Sequence, residues 1–204
     1  MSYRLYDYLP SGNGYKVRLV LRQLGLPYEL VELDIKQRAT RTPEFLAKNP
    51  NGRIPLLEIP GQGFLSESHA IISYLAEGSP LVPADRLDRA RMWQWLCFEQ
   101  YNLEPNIGTA RFWIASLGRS EAELGEKLVE KRRNGHAALG VLEQGLAGRE
   151  FLVGQGGAHS FAGADHRNAE RLLVQVVDRR RPVANLRQRQ AGEAEGRHRD
   201  IVDH

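Results

Sequence analysis

Cysteine is almost absent: Cys97 is the only one in 204 residues, which excludes an intramolecular disulfide, and no Cys/His cluster has the spacing of a structural zinc site. Lysine is scarce too. Five lysines stand against 23 arginines, all five before residue 155. No run approaches the roughly 18 apolar residues that a membrane-spanning helix needs, and the opening MSYRLYDY has no basic stretch followed by a long apolar one. The expectation is a cytoplasmic chain without a membrane partner and without a metal.

What is present is ordinary globular material: 42% hydrophobic and 26% charged residues, enough for one substantial core or two small ones. The net charge of +3 does not establish a nucleic-acid partner. The run Arg179-Arg180-Arg181 is short, and no recognition helix or zinc finger accompanies it.

The first eighty residues alternate strand-like and helix-like patterns. Residues 3–8 alternate as a strand, and Val17, Val20, Leu21 and Leu24 recur on one helical face until Gly25. A second strand is expected at 28–33, and a short helix at 43–48 with Pro43 in its first turn. The turn signal Asn49-Pro50-Asn51-Gly52 follows. Residues 54–59 and 64–65 flank Pro60-Gly61-Gln62-Gly63 as a hairpin, and Ser68 can cap a helix that buries Ile71, Ile72 and Leu75. The order is βαβαββα, an α/β unit over residues 1–80, and residues 78–83 form a linker.

From residue 85 the pattern is helical. Asp85 can cap a helix that buries Leu87, Ala90, Met92, Trp93, Leu96 and Cys97, until Pro105 bends or ends it. A continuation through Ile107, Ala110, Trp113 and Ile114 stops at Gly118, and residues 120–146 make another helix. The fold class is therefore an α/β domain followed by an all-α domain over residues 85–204.

The combined order of Ser11-Gly12-Asn13-Gly14-Tyr15-Lys16-Val17-Arg18, Pro43-Glu44-Phe45-Leu46, Asn49-Pro50-Asn51-Gly52-Arg53-Ile54-Pro55-Leu56-Leu57, Glu67-Ser68 and Phe151-Leu152-Val153-Gly154 resembles the soluble glutathione S-transferases. The resemblance covers about residues 1–154. It implies a thioredoxin-like first domain, a helical-bundle second domain, glutathione as co-substrate with no other cofactor, and a homodimer.

The resemblance also implies site residues. Pro55 is expected to follow a cis bond, so that the backbone of Ile54 pairs with the cysteinyl part of glutathione. Glu67 and Ser68 stand where a strand turns into a helix; free amides and a hydroxyl there suit a carboxylate, while the acid suits an ammonium group. Together they fit the γ-glutamyl head. Ser11 opens the first helix, where a hydroxyl and the helix end can stabilise a thiolate; Asn13 is the alternative donor, and Tyr8 falls in the strand. Arg38, Arg41 and Lys48 can reach the glycyl carboxylate. In the helical domain Tyr101, Asn102, Arg111 and Trp113 form the expected second-substrate pocket, with core packing as the competing role of the tryptophans. Cys97 is read as buried filler.

The favoured activity is conjugation of the glutathione thiolate to an electrophilic, largely apolar substrate. A glutathione-dependent disulfide reductase and a non-catalytic glutathione-binding or interaction protein stand as alternatives. The last fifty residues depart from the family pattern. They hold nine arginines, no lysine and one aromatic, Phe161, and Ser160 has Gly163 where the family's Ser/Thr-x-x-Asp helix cap requires an acid. Two readings compete after about residue 155: a divergent, atypical end, or a shifted reading frame that leaves an irregular or disordered tail. Translating the other two frames decides between them.

Overall fold

A computed structural model describes residues 2–149 and 151–154. The expectations for residues 155–204, the missing cap and the shifted frame among them, lie outside these described residues.

Four strands form one sheet in the order β2-β1-β3-β4. Strand β1 (Tyr3–Asp7) runs parallel to β2 (Tyr28–Glu32) through the crossover helix α1 (Gly12–Gln23). Strand β3 (Leu56–Ile59) pairs antiparallel with β1 and with β4 (Gly63–Ser66). Between β2 and β3 lies the short helix α2 (Pro43–Leu46), capped by the Thr42 hydroxyl, and helix α3 (Ser68–Ala76) follows β4. The βαβαββα order is thus the observed one.

The register sorts the side chains onto two faces. Leu5 lies opposite Leu57 and Tyr6 opposite Leu56; because successive strand residues point to opposite sides, Leu5 and Leu57 pack with Val17, Leu21 and Ile71 of the helices, while Tyr6 and Leu56 pack with Phe45. Leu5, Leu57 and Ile71 are completely buried, each contributing about 1.5–3 kcal/mol relative to exposure.

The helical part begins with α4 (Arg86–Phe98), capped by Asp85, whose carboxylate accepts the Asp88 N–H at 2.9 Å. Its Met92 and Leu96, with Leu81 of the connecting segment, enter the same core as Leu5 and Val17. The expected buried side of this helix was too broad. Leu87, Ala90, Trp93 and Cys97 are exposed, since at about 100° per residue Leu87, Ala90 and Cys97 fall opposite Met92 and Leu96.

Pro105 neither ends nor breaks the chain's helical course. Residues Glu99–Gly108 are wound as a π-helix, α5 (Thr109–Arg111) follows, and Phe112–Ser116 forms a second π segment. Pro105 has no N–H to donate, and the side-chain amides of Asn102 and Asn106 donate to the Phe98 and Asn102 carbonyls at 3.2 and 2.8 Å, adding side-chain bonds along this segment. Gly118, at φ 68°, stops the run. Helix α6 (Glu121–Leu146), capped by Ser120 and kinked at Gly125, packs Leu124 and Leu128 against Ala110, Ile114 and Trp113.

Candidate functional site

The loop from β1 into α1 is held at three successive carbonyls. Ser11 N–H donates to Tyr8 O at 2.7 Å, Arg18 Nη2 to Leu9 O at 2.9 Å, and Arg111 Nη1, from the helical part, to Pro10 O at 2.9 Å. Arg18 is itself anchored by an ion pair with Asp7, a carboxylate with no solvent exposure. Gly14 is required here, because the Asp7 carboxylate occupies the space where a Cβ would stand.

Ser11 is the N-cap of α1. Its Oγ accepts the Gly14 N–H at 3.2 Å, so the hydroxyl proton remains to donate. Asn13, in the first turn, lies with its Oδ1 3.5 Å from the Ser68 hydroxyl; when that hydroxyl donates, both Nδ2 hydrogens of Asn13 stay uncommitted. Two helix N-termini, those of α1 and α3, therefore meet at one place, and both carry positive dipole ends.

At α3 the cap position belongs to Glu67 rather than to Ser68, which is the first helical residue. The Ile71 N–H closes the first turn on Glu67 O at 2.9 Å, so the amides of residues 68–70 precede the intrahelical ladder. Glu67 sits at φ 69°, ψ 117°, a region that costs a non-glycine residue about 1–3 kcal/mol. Its side chain is exposed, whereas Ser68 is buried.

The peptide bond Ile54-Pro55 is cis, as the resemblance implied. The turn before it is built on Asn49, which is 4% exposed: its Nδ2 donates to Arg53 O at 2.8 Å and its Oδ1 accepts the Asn51 N–H at 3.2 Å. Arg41 donates to Asn51 O at 3.0 Å and lies over Gly52, whose φ of 61° is in the region that favours glycine. Arg38 is exposed, and Ile54 packs beside Tyr6 and Phe45.

A second polar cluster joins the two parts of the molecule. Lys16 Nζ lies 2.8 Å from Glu99 Oε2, His69 Nε2 lies 3.0 Å from the same oxygen, and Lys16 and His69 are 3.2 Å apart. Burial alone would raise the Glu99 carboxyl, but His69 and Lys16 outweigh it and hold it below the usual carboxylate value. Glu104 goes the other way: burial and then the Glu99 charge raise it, against Lys16, Arg53 and Lys131.

The structure brings together Ser11, Asn13 and Ser68, with Glu67 adjoining, and ties Arg111 to the same loop. The other expected pocket residues lie in the two π segments. Tyr101 is 82% exposed, Asn102 bonds within its own helix, and Trp113 packs against the cluster of Ala110 and Leu124, with Arg119 5.9 Å from its ring centre. Sequence reasoning missed Asn49, whose Asn-Pro-Asn-Gly turn was the available signal. It also missed Lys16, His69 and Glu99, for which no local signal exists. Among the described residues no cluster of His, Cys, Asp and Glu could hold a metal, and no helix is long and apolar enough to cross a membrane.

Comparison with known proteins bears on the same region. Residues 1–77 match the family described as Glutathione S-transferase, N-terminal domain. The maleylacetoacetate isomerase of Rhizobium meliloti (strain 1021) is 34% identical, over 87% of this chain and 81% of its own. The transcriptional regulator URE2 of Saccharomyces cerevisiae is 35% identical over 74% of this chain, which spans only 45% of that protein's length. A glutathione S-transferase of Pseudomonas fluorescens [Pf-5] of known structure is 40% identical, with a TM-score of 0.77, over 87% of this chain and 85% of its own. A glutathione transferase family member from Pseudomonas fluorescens Pf-5, solved with two glutathione bound, is 32% identical with a TM-score of 0.71, over 85% and 77% of the two chains. The mixed four-stranded sheet, the cis proline, the paired helix N-termini and these likenesses together place the chain in the glutathione S-transferase family.

Proposed function

We propose that the protein binds glutathione, lowers the pKa of its thiol at the α1 N-terminus and transfers the thiolate to an electrophilic, largely apolar substrate. The observation that carries this reading is the 3.5 Å approach of Ser68 Oγ to Asn13 Oδ1, which joins two helix N-termini at one anion-favouring place. Glu67 and Ser68 take the γ-glutamyl head, the Ile54 backbone held out by Pro55 takes the cysteinyl unit, and Arg38 and Arg41 serve the glycyl carboxylate. The Ser11 hydroxyl donates a hydrogen bond to the thiolate, with Asn13 as the alternative donor. The thiol proton goes to solvent, a carbon–sulfur bond forms, and the leaving group departs with its electron pair.

In this reading residues 1–80 are the glutathione domain and residues 85–204 the helical one, with Tyr101, Asn102 and Trp113 assigned to the second-substrate side and Arg111 given to the loop through its bond to Pro10 O. The working form is a cytoplasmic homodimer. Titration with glutathione, followed by heat and by thiolate absorbance, tests the proposal, together with turnover of a nitroaromatic halide. Absence of glutathione binding overturns it.

Two observations favour second readings. The relative solved with two glutathione bound supports a disulfide reductase: one bound thiolate attacks a substrate disulfide, and a second glutathione resolves the mixed disulfide to glutathione disulfide. Turnover of a disulfide but not of the halide selects that activity. The transcriptional regulator among the relatives supports a non-catalytic binding protein, for which glutathione binds without thiolate absorbance.

A further inference from the structure

The loop that carries Ser11 is held from inside and from outside its own domain. From inside, the Ser11 N–H closes on Tyr8 O, and Arg18, anchored by the buried Asp7, closes on Leu9 O. Pro10 O is the third carbonyl in the row, and its donor comes from 101 positions along the chain, the Arg111 guanidinium at 2.9 Å. That carbonyl belongs to the peptide unit whose nitrogen is Ser11's, so fixing it fixes the plane from which the Ser11 side chain departs.

Arg111 is bound to little else. Its Nε is buried without a hydrogen-bond partner, and among the described residues Pro10 O is the one acceptor that its side chain reaches. It stands in the short α-turn between the two π segments. A guanidinium in that place is spent on the loop of the other domain and not on the packing of its own.

We infer that Arg111 is a positioning residue for thiol activation: it holds the Pro10–Ser11 peptide so that the Ser11 hydroxyl faces the glutathione sulfur, and it makes that geometry depend on how the helical domain is seated. This rests on the glutathione-activating reading above and gives Arg111 a role through the loop, not through contact with the second substrate.

The test compares Arg111→Gln, which removes the charge, with Arg111→Lys, which keeps a charge and a donor. Amide hydrogen exchange of the ligand-free protein is read over residues 9–14. Loss of one charge-assisted hydrogen bond should speed exchange there roughly tenfold in Arg111→Gln, with Arg111→Lys within about twofold of the parent. Glutathione-bound protein is then titrated by thiolate absorbance. The thiol pKa should rise and kcat fall in Arg111→Gln, the KM for the electrophile staying within about twofold, as expected when a group acts on the reacting thiol and not on substrate binding.

Unchanged exchange in Arg111→Gln overturns the inference, and so does a raised electrophile KM with an unchanged thiol pKa, which would make Arg111 a substrate contact. Should Arg111→Gln fail to fold, Arg111→Lys decides alone: parent-like exchange and thiol pKa support the inference, and a parent-like pKa with fast exchange overturns it. The exchange measurement needs no glutathione. A parent protein that binds none would defeat the functional reading while leaving the loop contact separately decided.

Discussion

Replacing Asn49 by Ala tests how the turn before the cis Ile54-Pro55 bond is built. The side chain is 4% exposed and makes two bonds, donating to Arg53 O at 2.8 Å and accepting from Asn51 N–H at 3.2 Å. Removing it leaves one carbonyl and one amide without their partner, at about 1–3 kcal/mol each when fully desolvated. Asn51 and Arg53 are exposed residues, so water can replace part of what is lost, and the expected cost is about 1.5–3 kcal/mol in total. Two backbone bonds of Asn49, from its N–H to Phe45 O at 2.9 Å and from Gly52 N–H to its O at 2.8 Å, survive. The fold should therefore persist while the turn before Ile54 loosens. Urea unfolding measures the stability, and calorimetric titration measures glutathione affinity, expected to fall several-fold. Asn49→Asp separates the two bonds. It keeps the acceptor for Asn51 but sets a carboxylate against Arg53 O, so near neutral pH it should destabilise at least as much as Ala. In acid the protonated carboxyl can donate to Arg53 O, and the deficit should shrink. A loss below about 0.5 kcal/mol for Asn49→Ala, or a parent-like Asn49→Asp at neutral pH, would refute the assignment of this side chain as the turn's organiser.

Three further outcomes are expected. Glu67→Gly relieves the φ of 69° at about 1–3 kcal/mol, against a glycine entropy cost of about 0.5–1 kcal/mol; it should melt higher than Glu67→Ala, while both lose glutathione affinity, and equal melting temperatures would show that the strain is absent. Glu99→Gln should cost about 1–3 kcal/mol near neutral pH by leaving Lys16 and His69 without their charged acceptor. Because the folded Glu99 value lies below the ordinary one, the parent's advantage over Glu99→Gln is complete above the unfolded carboxyl pKa and vanishes as pH falls through the folded value; urea unfolding at a series of pH values should trace that loss. Glu104 has the opposite sign, its folded value being raised, so Glu104→Gln should stabilise the protein above that value and make no difference well below the unfolded one, a pattern the same unfolding series would contradict if the variant were less stable at neutral pH.

What the sequence made legible is what neighbours along the chain decide. Asp85 caps the helix that starts beside it and Gly118 stops one, because a cap needs only three residues to close its hydrogen bond, although at α3 the cap fell to Glu67 and not to the expected Ser68. The alternation of Leu5 and Tyr6 across the sheet was likewise local. The face of α4 was not, since Leu87, Met92, Trp93, Leu96 and Cys97 are apolar nearly all round the helix and periodicity cannot choose between two sides that both look buried. Only the contact of Met92 and Leu96 with the sheet core decides it. Site residues divide in the same way. Ser11 and Asn13 stood out as candidates because a helix start advertises itself, and the cis bond before Pro55 was expected because Ile54-Pro55 sits in a recognisable motif. The Lys16–Glu99 pair is separated by 83 positions and the Arg111–Pro10 bond by 101, and no feature near any of the four residues names its partner. Both bonds tie the helical part to the start of α1, and the His69–Glu99 contact at 3.0 Å ties it to the start of α3. The paired helix starts of the candidate site are thus written in short motifs, whereas the coupling of the helical part to them is written only in the tertiary structure.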